Sequence, residues 1–400
     1  MTTKEYIIEN LDRTIRHNAT DEGNRIGLPY PFTVPSFNDR HQELYYWDTY
    51  FSNLGLIECG KIEQAENNLK NLIFLLNNHG IIPNIAKRNI LTRSQPPFFG
   101  LMLRDMLAVR EDRALKEEGY KALCIEWKFW NGKRKSSNGL NIYSSDIPVN
   151  DLELERETFE NYQRRTGIKP KPGFYSVLNI LAEAESGWDF NPRFDGKCYE
   201  YNPVDLNSLL WFDEWYLGKL EKELDISNGK EWKEKADKRK ALMIELMQDT
   251  DGIFYDYSYV ENRKTPLKSC ASFFPAYVGM TKIDREEKNL LLSVLELAYG
   301  VQSTATDYER GNYQWGRTNA WPCLQVVVVE ALIKSGYLDD AKRIAQKYIT
   351  AMDDVFAKTG GIWEKYDAIT GEIGLSVEYT TPQMLGWSAG AYLTLLKYIG

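Results

Sequence analysis

Histidine is scarce in this chain of 400 residues, which holds only His17, His41 and His79. Lying far apart, they exclude a histidine-rich metal centre, and no EF-hand loop supplies a carboxylate cage in its place. Neither a metal nor a cofactor is expected. The five cysteines (59, 124, 198, 270 and 323) are odd in number and never take C-x-x-C spacing. They read as reduced thiols and exclude a disulfide framework. No Lys/Arg tract is dense enough to follow a phosphate backbone, and 49 basic against 57 acidic residues leaves a charge of −8. Nucleic acid is excluded as a partner. There is no apolar run of about 18 residues, which excludes a spanning helix. The opening MTTKEYIIENLDRTIRHNA lacks the apolar segment of a signal peptide, so with reduced thiols the expected compartment is the cytoplasm. No G-x-S-x-G, P-loop or strand-borne G-x-G-x-x-G is present, and no Cys/His pair is poised for nucleophilic attack.

What remains is an ordinary globular composition, 43% hydrophobic and 26% charged, and one domain is expected over residues 1–400 because no Pro/Ser-rich linker divides it. Aromatic residues are abundant at 13%, including 11 Trp and 25 Tyr. Part of that excess belongs to the core, and flat apolar faces also suit sugar clefts.

The periodic segments are nearly all helical. Leu44, Trp47, Phe51, Leu54 and Ile57 recur at spacings of three and four, and Gly60 stops that stripe. An amphipathic segment follows at 61–78. The pair recurs downstream, where 319–335, with VVVV at 326–329, precedes the amphipathic GYLDDAKRIAQKYI at 336–349. Both read as an inner helix, a Gly turn and an outer helix. Further helices are predicted at 3–17, 95–111, 113–130, 154–165, 203–224, 229–248, 284–300 and 382–399. About twelve helices without βαβ alternation predict an all-α fold, a closed (α/α)6 barrel of six hairpins. The alternative, an open α-solenoid, calls for more regular repeats.

Five strings break the periodicity, at 31–51, 81–99, 185–194, 313–325 and 360–367. Each mixes Trp or Tyr with Arg, Asn, Asp or Glu. One such string alone is most simply capping and core aromatics, but five in different hairpins point to one loop-built site. Carboxylates beside tryptophan and arginine suit glycoside cleavage. That reaction needs one acid to protonate the leaving oxygen and one carboxylate to activate water or attack carbon. An apolar Trp wall favours the protonated acid, and Arg and Asn supply donors to sugar hydroxyls.

The strings resemble the trehalases of glycoside hydrolase family 37, inverting enzymes built on an (α/α)6 barrel. The first family signature is echoed by PSFNDRHQELYYWDTY (35–50). IPN (82–84), TRSQPPFF (92–99), ESGWDFNPRF (185–194), PVDLN (203–207), EKYD (364–367), EY (378–379) and GW (386–387) match further elements in order. The resemblance implies Asp189 as general acid and Glu364 as general base. It implies that Arg40, Trp47, Asp48, Asn84, Arg93 and Gln95 hold the glucose at the cleavage point. Trp188, Gln314, Trp315, Trp321 and Glu378 fall in matching strings and are expected to line the site. Arg156 and Glu157, in ERETF (155–159), are a poor copy of the family's R-P-E-S element. Glu185 is expected to support the site rather than act as a second acid, and Asp48 and Asp205 stand where N-caps stand.

The departures lie on the leaving-group side. The second family signature survives as QWGRTNAWPCLQ (314–325), with Gly316 in place of an Asp, and AITGEIGLSV (368–377) replaces a glycine-rich lid. ESGWDFNPR and AWP are also similar to family 63 hydrolases, some of which act on glucosylglycerate or mannosylglycerate. The expected activity is therefore inverting hydrolysis of α,α-trehalose, with glucosylglycerate or another small α-glucoside as the alternative. A sugar-binding barrel without catalysis, or a phosphorolytic enzyme, has no use for the retained acid and base pair.

Overall fold

The computed structural model describes residues 1–38, 41–305, 313–316, 318–374 and 380–399. Helices dominate, in the order α1 (Thr3–Asn10), α2 (Tyr46–Glu58), α3 (Ile62–His79), α4 (Phe99–Val109), α5 (Arg113–Gly132), α6 (Leu152–Thr166) and α7 (Phe174–Glu185). There follow α8 (Val204–Glu223), α9 (Lys230–Leu246), α10 (Phe274–Tyr277), α11 (Arg285–Leu295), α12 (Pro322–Ser335), α13 (Leu338–Thr359) and α14 (Trp387–Ile399). The strands are two-residue pairings that staple loops together.

Six helices, α2, α4, α8, α10, α12 and α14, touch in succession, and α14 returns to α2, which closes an inner ring. Residue type explains this placement. In α8 and α12 apolar or small residues face every direction, and both are buried along most of their length. By contrast α3 and α13 bury a single stripe, as outer helices must. The ring closes where two glycines meet. A Cβ on Gly55 would stand 2.8 Å from the Cα of Gly390, and one on Gly390 would stand 1.8 Å from the Phe51 carbonyl oxygen. No larger residue lets α2 and α14 approach so closely.

The fold is the (α/α)6 barrel that the sequence predicts. Several boundaries differ from the prediction. The first helix stops at Asn10, because Ile15 and Arg16 leave it to pair with Thr33 and Phe32. The segment expected at 284–300 ends at Leu295, where Glu296–Leu297 folds back on Gly300–Val301 through Gly300 at φ +124°. The outer helix read at 336–349 runs on to Thr359. Two helices were not legible: α10, a single turn too short for a period, and α7, which with α6 is inserted between the outer helix α5 and α8, the third inner one.

Candidate active site

Inner helices α2, α4, α12 and α14 bring their N-termini to one end of the ring, and there a cleft of about 400 Å³ opens. Helix α7 runs toward it and ends at Ser186. Gly187 then turns with φ +74° directly against Trp47, whose ring would lie 2.9 Å from any Cβ at that position. This contact requires glycine and sets the next two residues. Asp189 follows, and its backbone is gripped from the string at 313–316. Gln314 Nε2 donates to the Asp189 carbonyl at 2.7 Å, and the Trp315 amide donates to the Phe190 carbonyl at 3.3 Å. Arg165 Nη2 holds the Asp189 carboxylate at 2.6 Å while its guanidinium lies 4.5 Å over the Phe190 ring.

Glu364 reaches the cleft from the other direction. Its amide donates to the Pro382 carbonyl at 3.1 Å, and its own carbonyl accepts from Trp387 Nε1 at 3.2 Å. The fully buried Lys365 donates to Glu364 Oε2 at 2.6 Å and packs 4.6 Å over Trp321. The side chain of Glu364 is thus fixed by its sequence neighbour.

Asp48, on the first turn of α2, is the third carboxylate of the cleft. Burial, and then the charges of Glu364 and Asp189, push it up to about 7. Indoles form the floor. Trp315 and Trp321 lie parallel at 3.9 Å with Trp47 and Trp387 around them. Polar groups ring it: Asn84, Arg93, Gln95 and Gln314. Gln95 is anchored by accepting from the Trp47 amide at 3.2 Å. Arg93 is the group best suited to receive a ligand. Burial pulls its guanidinium down, the charges of Asp189 and Glu185 act against that, and its buried Nε meets no acceptor among the described residues.

The structure therefore brings Trp47, Asp48, Asn84, Arg93, Gln95, Asp189, Gln314, Trp315, Trp321 and Glu364 to one cleft. It does not bring Arg156 and Glu157 there. Both are exposed on α6, where Arg156 pairs with Glu160 at 3.4 Å. The face of α6 toward the cleft carries Thr158, Asn161 and Arg165, spaced three and four apart, with Arg164 beside them, so residues 156 and 157 point away. Trp188 is buried behind the floor, stacked on Trp315 at 5.5 Å and covered by the Arg193 guanidinium at 4.4 Å. It supports the site without facing it. Arg40 and Glu378 lie outside the described residues.

Glu185 is fully buried and accepts from the amides of Ser94 and Ser144 and from Arg134, a supporting role that ties the strings at 81–99 and 185–194 to the segment 134–144. Asp205 and Asp48 cap no helix, since α8 and α2 have no side-chain cap. Asp205 instead pairs with the buried Arg193, which also holds Asp256. The sequence reading missed Arg165, Tyr45 and His41. Regular spacing of polar residues on α6 was the only signal for Arg165, and a solvated helix face carries the same pattern.

Known proteins match this arrangement. A model of the Trehalase family matches residues 4–400. The periplasmic trehalase of Pseudomonas aeruginosa is 29% identical over 93% of this chain and 72% of its own length. The neutral trehalase of Saccharomyces cerevisiae superposes with a TM-score of 0.80 at 25% identity, covering all of this chain and 80% of that one. A family 63 mannosylglycerate hydrolase of Thermus thermophilus, in complex with glucose, shares the fold with a TM-score of 0.65 at 17% identity, covering 98% of this chain and 99% of that one.

These relatives overturn the expected cytoplasmic location. Those from Pseudomonas, Escherichia coli and Xanthomonas campestris are all named periplasmic trehalases. The cysteine argument fails on physical grounds. Cys198, Cys270 and Cys323 are buried and burial raises all three thiols, so they stay unreactive without a reducing compartment. Family, fold and cleft agree, and the chain belongs to the trehalase family of glycoside hydrolases.

Proposed function

We propose that the whole chain acts as one catalytic domain that hydrolyses α,α-trehalose to two glucoses with inversion. Asp189 is the general acid and Glu364 the general base. The observation that carries the assignment is that these two carboxylates, 175 positions apart in the chain, enter one tryptophan-floored cleft from separate loops. Each is fixed by a cation of its own, Arg165 or Lys365. Asp189 protonates the glycosidic oxygen as the bond breaks. Glu364 takes a proton from the water that attacks the anomeric carbon from the opposite face, so the product forms with inverted configuration. Asp48, Asn84, Arg93 and Gln95 hold the hydroxyls of the glucose at the cleavage point, and Arg40 and Glu378 belong to the same proposed set.

On the leaving-group side, Gly316 supplies no carboxylate, while Arg164 and Arg165 line the cleft. An anionic glycoside such as glucosylglycerate is the competing substrate. The deciding experiment compares trehalose with glucosylglycerate, with and without phosphate, and follows the first anomer by NMR. Release of β-glucose and α-glucose in equal amounts from trehalose, independent of phosphate, is expected. Cleavage of glucosylglycerate alone refutes the substrate assignment, and release of two α-glucoses with no β anomer refutes the mechanism.

A further inference from the structure

Behind the loop that carries His41 lies a second cavity, of about 260 Å³, lined by Arg16, His17, Asn18, Arg25, Phe32 and Gln42. The glycosidase reaction does not use it. None of its residues lines the catalytic cleft, although Gln42 follows His41, which does. The short pairing of Ile15–Arg16 with Phe32–Thr33 forms one wall and places the buried Phe32 ring at its base.

The cavity is rich in donors and poor in acceptors. Arg16 spends its hydrogen bonds on neutral oxygens: Nε donates to Gln42 Oε1 at 2.9 Å, and Nη1 to the carbonyls of Arg13 and Ile15 at 2.8 and 2.9 Å. Its charge is met by no carboxylate in these contacts. Arg25 is clamped by Glu22 at 3.2 Å and Glu43 at 3.5 Å, and Glu43 also pairs with Lys87 at 3.0 Å. Arg25 and Lys87 balance Glu22 and Glu43, which leaves the charge of Arg16 in excess. Two buried donors, Arg25 Nε and Asn18 Nδ2, have no acceptor among the described residues.

A ligand for such walls must bring acceptors and negative charge. A cation is repelled by the arginines, and a neutral sugar leaves the charge of Arg16 unmet. A phosphoryl group offers three acceptor oxygens to donors arriving from several sides. The cavity is also larger than a bare phosphate requires. We propose that this side pocket binds a phosphoryl group, either free phosphate or one carried on a small metabolite such as a hexose phosphate.

Calorimetric titration of the intact protein with inorganic phosphate and with glucose 6-phosphate, at ionic strength held constant with chloride, tests this. Saturable binding of at least one is expected. Tighter binding of the sugar phosphate shows that the rest of the cavity is occupied, and binding of phosphate alone identifies the free ion. Asn18→Asp keeps the shape and adds a negative charge, and Arg16→Gln removes a positive one. Each weakens binding roughly tenfold or more, as loss of a charge-assisted contact does, while glycoside hydrolysis stays unchanged. Should Arg16→Gln not fold, Asn18→Asp decides alone. No saturable binding of either probe overturns the proposal. So does binding that persists unchanged in Asn18→Asp, because the anion then occupies the catalytic cleft.

Discussion

Asp48 is held where a carboxylate is costly, and that cost is measurable. Only 8% of it is exposed, it shares a cleft with Glu364 and Asp189, and its carboxyl is pushed up to about 7. A free aspartate titrates at about 3.9. The rise of about three pH units corresponds to about 4 kcal/mol of preference for the neutral form, at about 1.36 kcal/mol per unit. Because the folded value lies above the unfolded one, the folded chain keeps a proton that the unfolded chain releases. Stability from this group is therefore fully present below about pH 4, declines as pH rises, and is lost above about pH 7.

Asp48→Asn holds nearly the same shape, stays neutral throughout, and its amide oxygen still accepts from its own backbone amide. The variant's stability relative to the parent should accordingly climb by about 4 kcal/mol between pH 4 and pH 7.5 and then level off. Urea unfolding at half-unit pH steps and fixed ionic strength measures this directly. A stability difference that stays flat across that range refutes the reasoning, because it removes the pH linkage on which the magnitude rests. The same change should lower kcat/KM on trehalose by about 10- to 100-fold, the consequence of losing one charged acceptor for a sugar hydroxyl. A more stable and less active variant is the expected signature of a group retained for chemistry.

Asp189→Asn and Glu364→Gln should each lower kcat by about 10²- to 10⁴-fold with little change in unfolding midpoint, and activity within tenfold of the parent removes that residue from the mechanism. Arg165→Gln, which releases the Asp189 carboxylate, should reduce kcat at least tenfold, whereas Arg156→Ala, on the outward face of α6, should leave kcat and KM unchanged. The pair is decisive, since equal effects would mean that α6 is oriented differently. Gly390→Ala forces a methyl group onto the Phe51 carbonyl where α14 meets α2 and should cost at least ~2 kcal/mol in denaturant unfolding, where a neutral effect excludes this contact as the closure of the ring.

The fold was legible because inner and outer helices obey different rules. VVVV at 326–329 is buried on every side, while GYLDDAKRIAQKYI shows one stripe, and only a two-ring arrangement demands both in one hairpin. The loop residues of the site were legible for the opposite reason: ESGWDF and EKYD fit no period, so their composition had to serve something other than packing. Arg165 was hidden because it sits inside a regular helix. Helix α6 buries only Thr158, Tyr162 and Thr166, so its inward face is polar and reads as solvent-facing. Arg156 entered the expected site by likeness to a string, and helical phase turns it away from the cleft. Trp188 shows the converse: a residue adjacent to Asp189 in sequence turns its ring to the opposite side of the chain, toward Arg193 and Trp315.

One feature of the site follows from the ring itself and from no single motif. Asp48 lies in the first turn of α2, Gln95 just before α4, Trp321 immediately before α12, and Trp387 opens α14. Four inner helices thus direct their N-termini, each carrying a partial positive charge, at a cleft that holds three carboxylates among the described residues. Those oriented amides oppose the mutual repulsion of Asp48, Asp189 and Glu364 without filling the cleft with side chains. Inner helices that start at the cleft supply that field from several sides of its rim. Carboxylates can then be placed on loops that arrive from different hairpins.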